Sequence, residues 1–246
     1  MINNLFAHNR RYRAPIGDCY TLYSDMARQP HLLIAGATGS GKSVIVNGII
    51  YNLLHKGPES AKMILIDPKR VELSAYRNVP HCIRYASEPA EMVDALNYAV
   101  QVTEGRYTIM QRQGARKYDG GHVYVIIDEL ADLMTTQKKA VQPLLQRLCQ
   151  IGRAANVHVI ACTQCPLATV IPTAISVNFD ARVGLRTRNA QDSRNILGQA
   201  CCEQLPRYGQ GYYMTPEGLD LWEIPMYPDT AVNQLIDYWT SRRCIA

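Results

Sequence analysis

The sequence has little charge and no long apolar run. Charged residues make up 19% of the 246 residues, below the roughly 25% of average domains, which argues against a disordered chain or a coiled coil. No apolar run reaches the length of about 18 residues that a membrane-spanning helix needs. The basic start, with Arg10, Arg11 and Arg13, is not followed by an apolar stretch. We therefore expect neither a signal peptide nor a transmembrane segment.

The cysteines lack the spacing of a disulfide scaffold or of a zinc site. There are eight: Cys19, Cys82, Cys149, Cys162, Cys165, Cys201, Cys202 and Cys244. A chain of this length can bury a core without disulfides, so we expect reduced thiols and a cytoplasmic protein. Cys162 and Cys165 have C-x-x-C spacing, but no second pair or histidine doublet completes a metal set. We interpret them as small residues at the end of a strand.

The length and the hydrophobic content predict one large folded unit. Hydrophobic residues make up 47% of the chain, and the net charge of +5 permits a polyanionic partner without requiring one. No repeat or low-complexity tract is present. We predict an N-terminal lead-in over residues 1–30 and a single domain over residues 31–246.

Strand-like and helix-like segments alternate, which predicts an α/β fold with a mostly parallel sheet flanked by helices. Aliphatic and β-branched runs typical of strands buried on both faces cover residues 32–35, 63–66, 123–127 and 157–162. Helical spacing covers residues 43–55, 88–113 and 138–155. Later segments predict a strand at 181–185, a hairpin of 209–214 with 219–224, and a closing helix at 232–243.

The most specific motif is a full G-x-x-x-x-G-K-S sequence between a predicted strand and a predicted helix. It consists of Gly36, Ala37, Thr38, Gly39, Ser40, Gly41, Lys42 and Ser43. Its glycines let successive backbone N–H groups and the helix N-terminus surround a β-phosphate. We expect Lys42 to reach the β- and γ-phosphates and the Ser43 hydroxyl to bind Mg²⁺. The motif predicts a nucleoside triphosphate site.

Polar residues follow two further strands, where a parallel sheet faces its nucleotide. Asp128 is expected to hold Mg²⁺ through water, and Glu129 to polarise the attacking water, which favours hydrolysis over transfer to a substrate. Gln164 is the candidate sensor of the γ-phosphate. Arg153, near a helix end, could cap the helix dipole or reach a neighbouring chain's nucleotide, and both roles stay open.

Together these residues resemble the motor core of the FtsK/SpoIIIE family of double-stranded DNA translocases. The resemblance covers most of the chain. It is carried by the P-loop, Asp67-Pro68-Lys69, the acidic run Asp-Glu-Leu-Ala-Asp-Leu-Met at 128–134, Thr163-Gln164, and Asp192-Ser193-Arg194. The sequence departs from the family pattern where Cys165 replaces an arginine and where Gly209-Gln210-Gly211 lacks the usual Gly-Asp pair. We expect a compact form without the family's membrane anchor and winged-helix DNA reader.

The resemblance implies a RecA-like P-loop ATPase that forms a ring, expected to be a hexamer, around duplex DNA and moves it with ATP and Mg²⁺. By the same likeness Arg153 is the candidate arginine finger, which completes the site of the adjacent subunit. A separate adaptor or loading protein would supply the functions of the missing modules.

A motor that moves along any sequence should bind phosphates rather than base edges, through mobile basic loops. We rank Arg112, Arg116 and Lys117 first as DNA contacts, because they lie in or beside a glycine-containing stretch at 113–121. Other basic pairs rank lower: Lys138 with Lys139, and Arg186 with Arg188.

Two other functions remain open. One is a conjugation or secretion coupling ATPase that moves protein or protein–DNA cargo. The other is a nucleotide-binding regulatory module that has lost turnover. Stimulation of hydrolysis by duplex DNA would distinguish the motor from both.

Overall fold

The computed structural model describes residues 26, 28–164, 171–224 and 226–243, and in these residues the chain forms one eight-stranded sheet. The strands are β1 (Leu32–Ala35), β2 (Ala61–Ile66), β3 (Cys82–Ala86), β4 (His122–Ile127), β5 (Val157–Thr163), β6 (Ala181–Gly184), β7 (Gln210–Thr215) and β8 (Gly218–Glu223). Their order across the sheet is β3-β2-β4-β5-β1-β6-β7-β8. β1 to β6 are parallel, and the β7–β8 hairpin adds antiparallel strands at one side.

Helices cover both faces of the sheet. In the described part of the chain they are α1 (Lys42–Leu54), α2 (Pro89–Gln113), α3 (Leu130–Thr136), α4 (Lys138–Ile151), α5 (Thr173–Ser176), α6 (Ala190–Leu197) and α7 (Asp229–Arg243). α1 and α7 pack on one face, and α2 to α5 contribute to the core on the other. The predicted α/β class with a mostly parallel sheet is confirmed.

The alternation of side chains along each strand produces these two cores. Leu32 and Ile34 of β1 face the α1 side, whereas Leu33 between them faces the α2 to α4 side. Successive strand residues point to opposite faces, so a strand buried on both sides needs an unbroken apolar run. β1 satisfies this condition, since all four of its residues are buried.

Several boundaries differ from the sequence predictions. The helix predicted at 138–155 ends at Ile151, because the Gly152 carbonyl accepts turn hydrogen bonds from the Ala155 and Val157 N–H groups, at 3.1 and 2.9 Å. The turn is tight: a Cβ on Gly152 would lie 2.4 Å from the Val157 carbonyl oxygen. The chain then turns, and Asn156 adopts a left-handed conformation with φ of 52° before β5 begins. The strand predicted at 181–185 ends one residue earlier, at Gly184.

Residues 1–25 of the predicted lead-in lie outside the described residues, as does residue 27, so the boundary at residue 30 stays a prediction. Pro30 itself is buried, and its carbonyl oxygen lies 3.0 Å from Nδ1 of His158 in β5. In the described residues no helix is long and apolar enough to cross a membrane.

Candidate functional site

The G-x-x-x-x-G-K-S segment forms a tight loop between β1 and α1. Gly41 has a φ of 101°, which a residue with a side chain rarely adopts, and it directly precedes the helix. At Gly36 a Cβ would lie 2.6 Å from Ser40 Oγ and 2.7 Å from Leu185 Cβ. The loop is therefore packed against the residue that follows β6, and its shape depends on glycine.

Lys42 folds back over this loop. Its Nζ donates hydrogen bonds of 2.9 Å to the carbonyl oxygens of Gly36 and Ala37. Burial lowers the pKa of the Lys42 ammonium, an effect that the carboxylate of Glu129 partly opposes. The ammonium is therefore held among the loop's carbonyls, at the end of α1 where an anion is best accommodated.

Carboxylates gather at the carboxyl ends of β2 and β4. Asp67 is fully buried, and its Oδ2 accepts a hydrogen bond from the Leu73 backbone N–H at 3.0 Å. Burial, together with the negative charges of Asp67 and Glu72, raises the pKa of Asp128 to about 6. A divalent cation would relieve this repulsion.

The oxygen groups at this edge fit Mg²⁺. Ser43 lies in the first turn of α1, and Asp128 directly follows β4. Within the described residues, Asp67 Oδ1 is buried and has no hydrogen-bond partner. Mg²⁺ prefers such oxygen ligands and keeps several waters, so Ser43 and Asp128 remain the residues that would hold it.

Each oxygen of the Glu129 carboxylate contacts a nitrogen of another residue. It is only 3% exposed, and its Oε2 lies 3.3 Å from Lys69 Nζ. Its Oε1 accepts a hydrogen bond of 3.1 Å from the Gln164 backbone N–H. The Gln164 side chain in turn accepts a hydrogen bond from Thr38 Oγ1 of the P-loop. The structure thus brings Glu129, Gln164 and the P-loop together. Sequence reasoning placed Thr38 in the P-loop and Lys69 in the Asp-Pro-Lys motif, but it did not predict their contacts with Gln164 and Glu129.

Three arginines lie on the other side of the P-loop. A cavity of about 450 Å³ is lined by the outer P-loop residues 37–40, by Arg186, Thr187 and Arg188 after β6, and by Arg207. From the sequence, Arg186 and Arg188 ranked as lower DNA candidates, and Arg207 gave no signal. Arg207 is brought here by the turn after a short helix at Cys202–Gln204, which the sequence pattern did not predict.

The remaining predicted site residues lie at the opposite edge of the sheet. Arg153 is exposed in the turn that precedes β5, and Arg112 lies in the last turn of α2. Arg116 and Lys117 are exposed in the stretch before β4. The P-loop and Gln164 follow the carboxyl ends of parallel strands, so none of these four basic residues lies beside the chain's own P-loop.

The basic stretch is anchored, although we expected a mobile loop. The Tyr118 backbone N–H donates to the Ala154 carbonyl at 2.8 Å. Asn156 Nδ2 donates to the carbonyl oxygens of Tyr118 and Gly120, at 3.0 and 3.1 Å. The Arg106 guanidinium lies over the Tyr118 ring, 4.4 Å from its centroid. The stretch that carries Arg116 and Lys117 is therefore fixed to the turn that carries Arg153.

The C-x-x-C pair is only half described. Cys162 is buried in β5, and burial together with the Asp128 charge raises the pKa of its thiol. Cys165 lies outside the described residues. Among the residues that are described, no group of three or more histidine, cysteine or acidic side chains is arranged to hold a metal ion.

Comparison with known proteins assigns the family. The model of the FtsK/SpoIIIE family matches residues 16–125 and 120–168, more than half of the chain. This chain belongs to the FtsK/SpoIIIE family. The predicted resemblance is confirmed.

Curated relatives agree with this family. The DNA translocase FtsK of Rhizobium meliloti (strain 1021) is 35% identical over 263 residues, which covers 89% of this chain and 30% of that protein. The DNA translocase FtsK of Rickettsia typhi (strain ATCC VR-144 / Wilmington) is 37% identical over 237 residues, covering 78% and 32%. The chain thus spans about a third of the length of these relatives.

The structure of the pCW3 conjugation coupling protein TcpA, in its monomer form with ATPγS, superposes with a TM-score of 0.77 at 24% identity. The match covers 87% of this chain and 66% of that chain. At this identity the likeness supports the shared fold alone.

Proposed function

We propose that this chain is the motor core of an ATP-driven translocase of double-stranded DNA, and that it works as a hexameric ring. The observation that carries the proposal is the placement of Glu129. Its buried carboxylate is held by Lys69 and by the Gln164 backbone N–H, and Gln164 is bonded to Thr38 of the P-loop. A fixed carboxylate beside a phosphate loop can orient and deprotonate an attacking water. The relatives' name, DNA translocase, supports the choice of cargo.

ATP and Mg²⁺ are the proposed cofactors. Bound Mg²⁺ supplies neutralisation of the charge that develops on the phosphate oxygens. The chain's own contributions are the P-loop backbone and Lys42 on the phosphates, Ser43 and Asp128 as holders of the metal, and Glu129 with Gln164 at the water.

DNA contacts are proposed for Arg112, Arg116 and Lys117. All three are exposed at the edge of the sheet remote from the P-loop. Lysine and arginine on phosphates give binding that does not depend on sequence and falls with salt. A motor that passes every sequence needs this type of contact.

The test measures ATP hydrolysis by the purified chain against protein concentration, with and without linear duplex DNA. We expect the rate per chain to rise with concentration and to rise again with DNA. Lys42→Ala and Glu129→Gln should each lower the rate by about 100-fold or more, and Glu129→Gln should retain nucleotide binding.

A rate that ignores both concentration and duplex DNA would contradict a ring motor. Stimulation by a protein partner alone would favour the coupling ATPase. Tight ATP binding with a hydrolysis rate unchanged by Glu129→Gln would favour the regulatory module.

Action of Arg153 on a neighbour's nucleotide is tested by mixing variants. Arg153→Ala and Lys42→Ala chains are each expected to be inactive, and mixed rings should regain activity at interfaces that join an intact Arg153 to an intact P-loop. No recovery at concentrations where rings form would mean that Arg153 does not act between subunits.

A further inference from the structure

We infer that Cys201 and Cys202 form a vicinal dithiol that a small-molecule disulfide, with oxidised glutathione as the probe, converts reversibly into a ring disulfide. Both are free thiols in the structure. The pair lies outside the residues proposed to bind ATP, Mg²⁺ or DNA. The inference therefore goes beyond the proposed function and does not depend on it.

The two thiol groups are close to each other and are held in place by α6. The Cys202 thiol is within hydrogen-bonding reach of the Cys201 thiol and of the Ser193 hydroxyl, and Ser193 Oγ lies 3.9 Å from Cys201 Sγ. The Ser193 hydroxyl accepts hydrogen bonds from the backbone N–H groups of both cysteines, each at 3.0 Å. It donates to the Gln199 carbonyl at 2.7 Å. One buried hydroxyl thus fixes the backbone of the pair.

The two cysteines differ in access to solvent. Cys201 is partly exposed, whereas Cys202 is fully buried. Burial raises the pKa of the Cys202 thiol to about 12, and the hydrogen bond with Ser193 opposes this rise only in part. Because the thiolate is the nucleophile, Cys202 is inert toward a reagent in solution, and Cys201 reacts first. An accessible cysteine beside a second one that can resolve its product is typical of redox-active sites.

The oxidation has two steps. The Cys201 thiolate attacks one sulfur of the small disulfide, whose S–S bond breaks and releases a thiolate that takes up a proton. The Cys202 thiol then loses its proton to solvent, and its sulfur attacks the Cys201 sulfur and releases the second small thiol. Two protein thiols are oxidised to one disulfide, and the small disulfide is reduced to two thiols.

The ring disulfide would be easy to reduce. Neighbouring Cα atoms are about 3.8 Å apart, whereas the Cα atoms of a disulfide are usually about 4.4–6.8 Å apart. The ring is therefore strained, and strained disulfides have more oxidising reduction potentials. Cys201 and Cys202 stay reduced where thiols prevail, and they close the ring where small disulfides accumulate.

The position of Cys202 connects the pair to the end of β6. A Cβ on Gly184, the last residue of β6, would lie 2.6 Å from Cys202 Sγ. The Cys202 carbonyl accepts hydrogen bonds from the N–H groups of Thr187, at 3.4 Å, and Leu205, at 3.2 Å. A bond to Cys201 draws the Cys202 sulfur out of this packing, so we expect both hydrogen bonds to weaken on oxidation.

The experiment exposes the full chain to oxidised glutathione, alkylates the remaining thiols in urea, and analyses tryptic peptides by mass spectrometry. Cleavage after Arg194 and Arg207 gives a peptide in which Cys201 and Cys202 are the only cysteines. We expect most of this peptide to carry no alkyl group and to be lighter by two hydrogens than the reduced peptide. Dithiothreitol before alkylation should restore two alkyl groups.

The tryptic peptide 148–153 is the internal control, because Cys149 is its only cysteine. Burial raises the pKa of the Cys149 thiol to about 12 as well, but its neighbours in the chain are not cysteines. We expect its oxidation to be at least roughly tenfold slower than that of Cys201. Cys202→Ser should stop the reaction at a mixed disulfide on Cys201, and Cys201→Ser should leave Cys202 unmodified.

Full alkylation of Cys201 and Cys202 after exposure to oxidised glutathione would overturn the inference. A mixed disulfide that persists in the wild type, or a disulfide that joins either residue to another cysteine, would also overturn it. Hydrogen exchange of the oxidised wild type measures the effect on the fold. We expect faster exchange of the Thr187 and Leu205 N–H groups, and unchanged exchange would overturn the connection between the ring and β6.

Discussion

Single residues at the carboxyl ends of the parallel strands are held by contacts that can be tested one at a time. Lys69 and the Gln164 backbone are the two groups that hold the Glu129 carboxylate. Of these, only Lys69 can be removed by a side-chain substitution. A substitution of Lys69 therefore tests whether the rate of ATP hydrolysis depends on the fixed position of the Glu129 carboxylate or only on its presence.

Lys69→Met removes the ammonium and keeps most of the stem. We expect a fall in kcat of roughly tenfold with an unchanged KM for ATP, because a general base contributes about 10²- to 10⁴-fold only when it is positioned. Lys69→Arg should restore part of the rate. An unchanged kcat in Lys69→Met would mean that the backbone N–H of Gln164 holds Glu129 by itself.

Buried histidines make stability depend on pH. Burial lowers the pKa of His31 to about 4, and burial together with His122 lowers that of His158 to about 3. In the unfolded chain they titrate near 6.5. As the pH falls below 6.5, the unfolded chain binds protons that the native chain does not. Native stability is therefore full above pH 6.5 and is lost progressively toward pH 4.

His31→Asn tests this dependence. The asparagine Oδ1 can still accept the Val159 backbone hydrogen bond that His31 Nδ1 accepts at 3.0 Å. The variant should be less stable at pH 7, because it loses the ring contact with Phe179. Its further loss between pH 7 and pH 5 should be about 2 kcal/mol smaller than in the wild type. Urea unfolding at both pH values measures the difference.

Much of the site could be predicted residue by residue, and the gaps have physical causes. The P-loop and Asp128 were visible because their chemistry requires fixed residue types after a strand. Arg207 was not, because its relevance comes from a turn after β6 that folds back onto the P-loop. Lys69 was recognised in a motif, but its contact with Glu129 depends on β2 and β4 being neighbours.

At the scale of secondary-structure elements, the glycine that follows α4 packs closely against two backbone carbonyl groups. A Cβ at Gly152 would lie 2.4 Å from the Val157 carbonyl oxygen and 2.7 Å from that of Leu148. Both atoms are backbone, so neither can move aside cheaply. At Gly105, inside α2, a Cβ would meet nothing within 4 Å.

These two glycines predict alanine substitutions of opposite sign. Gly152→Ala should destabilise the protein by about 1–3 kcal/mol through overpacking. Gly105→Ala should stabilise it by about 0.5–1 kcal/mol, because alanine favours the helix. Urea unfolding of the two variants provides the comparison. Stabilisation by Gly152→Ala would show that the turn at 152–156 relaxes more easily than its packing indicates.

The sequence predicted the strands that are buried on both faces of the sheet, but it missed β3 at one edge of the sheet. The unbroken apolar runs of β1 and β4 identified both strands. β3 was missed because Arg84 is exposed and Tyr85 only half-buried in the middle of a strand that has a single neighbour. α6 was missed because only three of its residues are buried.

At the scale of the whole molecule, hydrogen bonds join the proposed DNA-contacting stretch to the turn that carries Arg153. Asn156 fixes the stretch that carries Arg116 and Lys117 to the turn that carries Arg153. Its left-handed backbone, with φ of 52°, places the amide under that stretch. If Arg116 and Lys117 bind DNA and Arg153 reaches a neighbour's nucleotide, the hydrogen bonds of Asn156 link DNA binding to nucleotide binding.

Asn156→Gly separates the amide from the backbone conformation, since glycine adopts positive φ readily. We expect basal ATP hydrolysis and DNA affinity to change less than about twofold. Stimulation of hydrolysis by duplex DNA should fall several-fold, because the two amide hydrogen bonds between the regions are lost. Filter binding and ATPase assays on one preparation measure these quantities. Full stimulation in Asn156→Gly would show that the remaining contacts, such as Tyr118 with Ala154, suffice.

The anchored stretch also has a consequence for how force could cross the molecule. β4 starts after this stretch and leads to Asp128 and Glu129, while β5 starts after Asn156 and leads to Gln164. The seven residues of β5 span about 20 Å, and close packing resists compression of such a strand. If Lys117 contacts DNA as proposed, a displacement of Lys117 would therefore be transmitted along the paired strands β4 and β5 to Glu129 and Gln164.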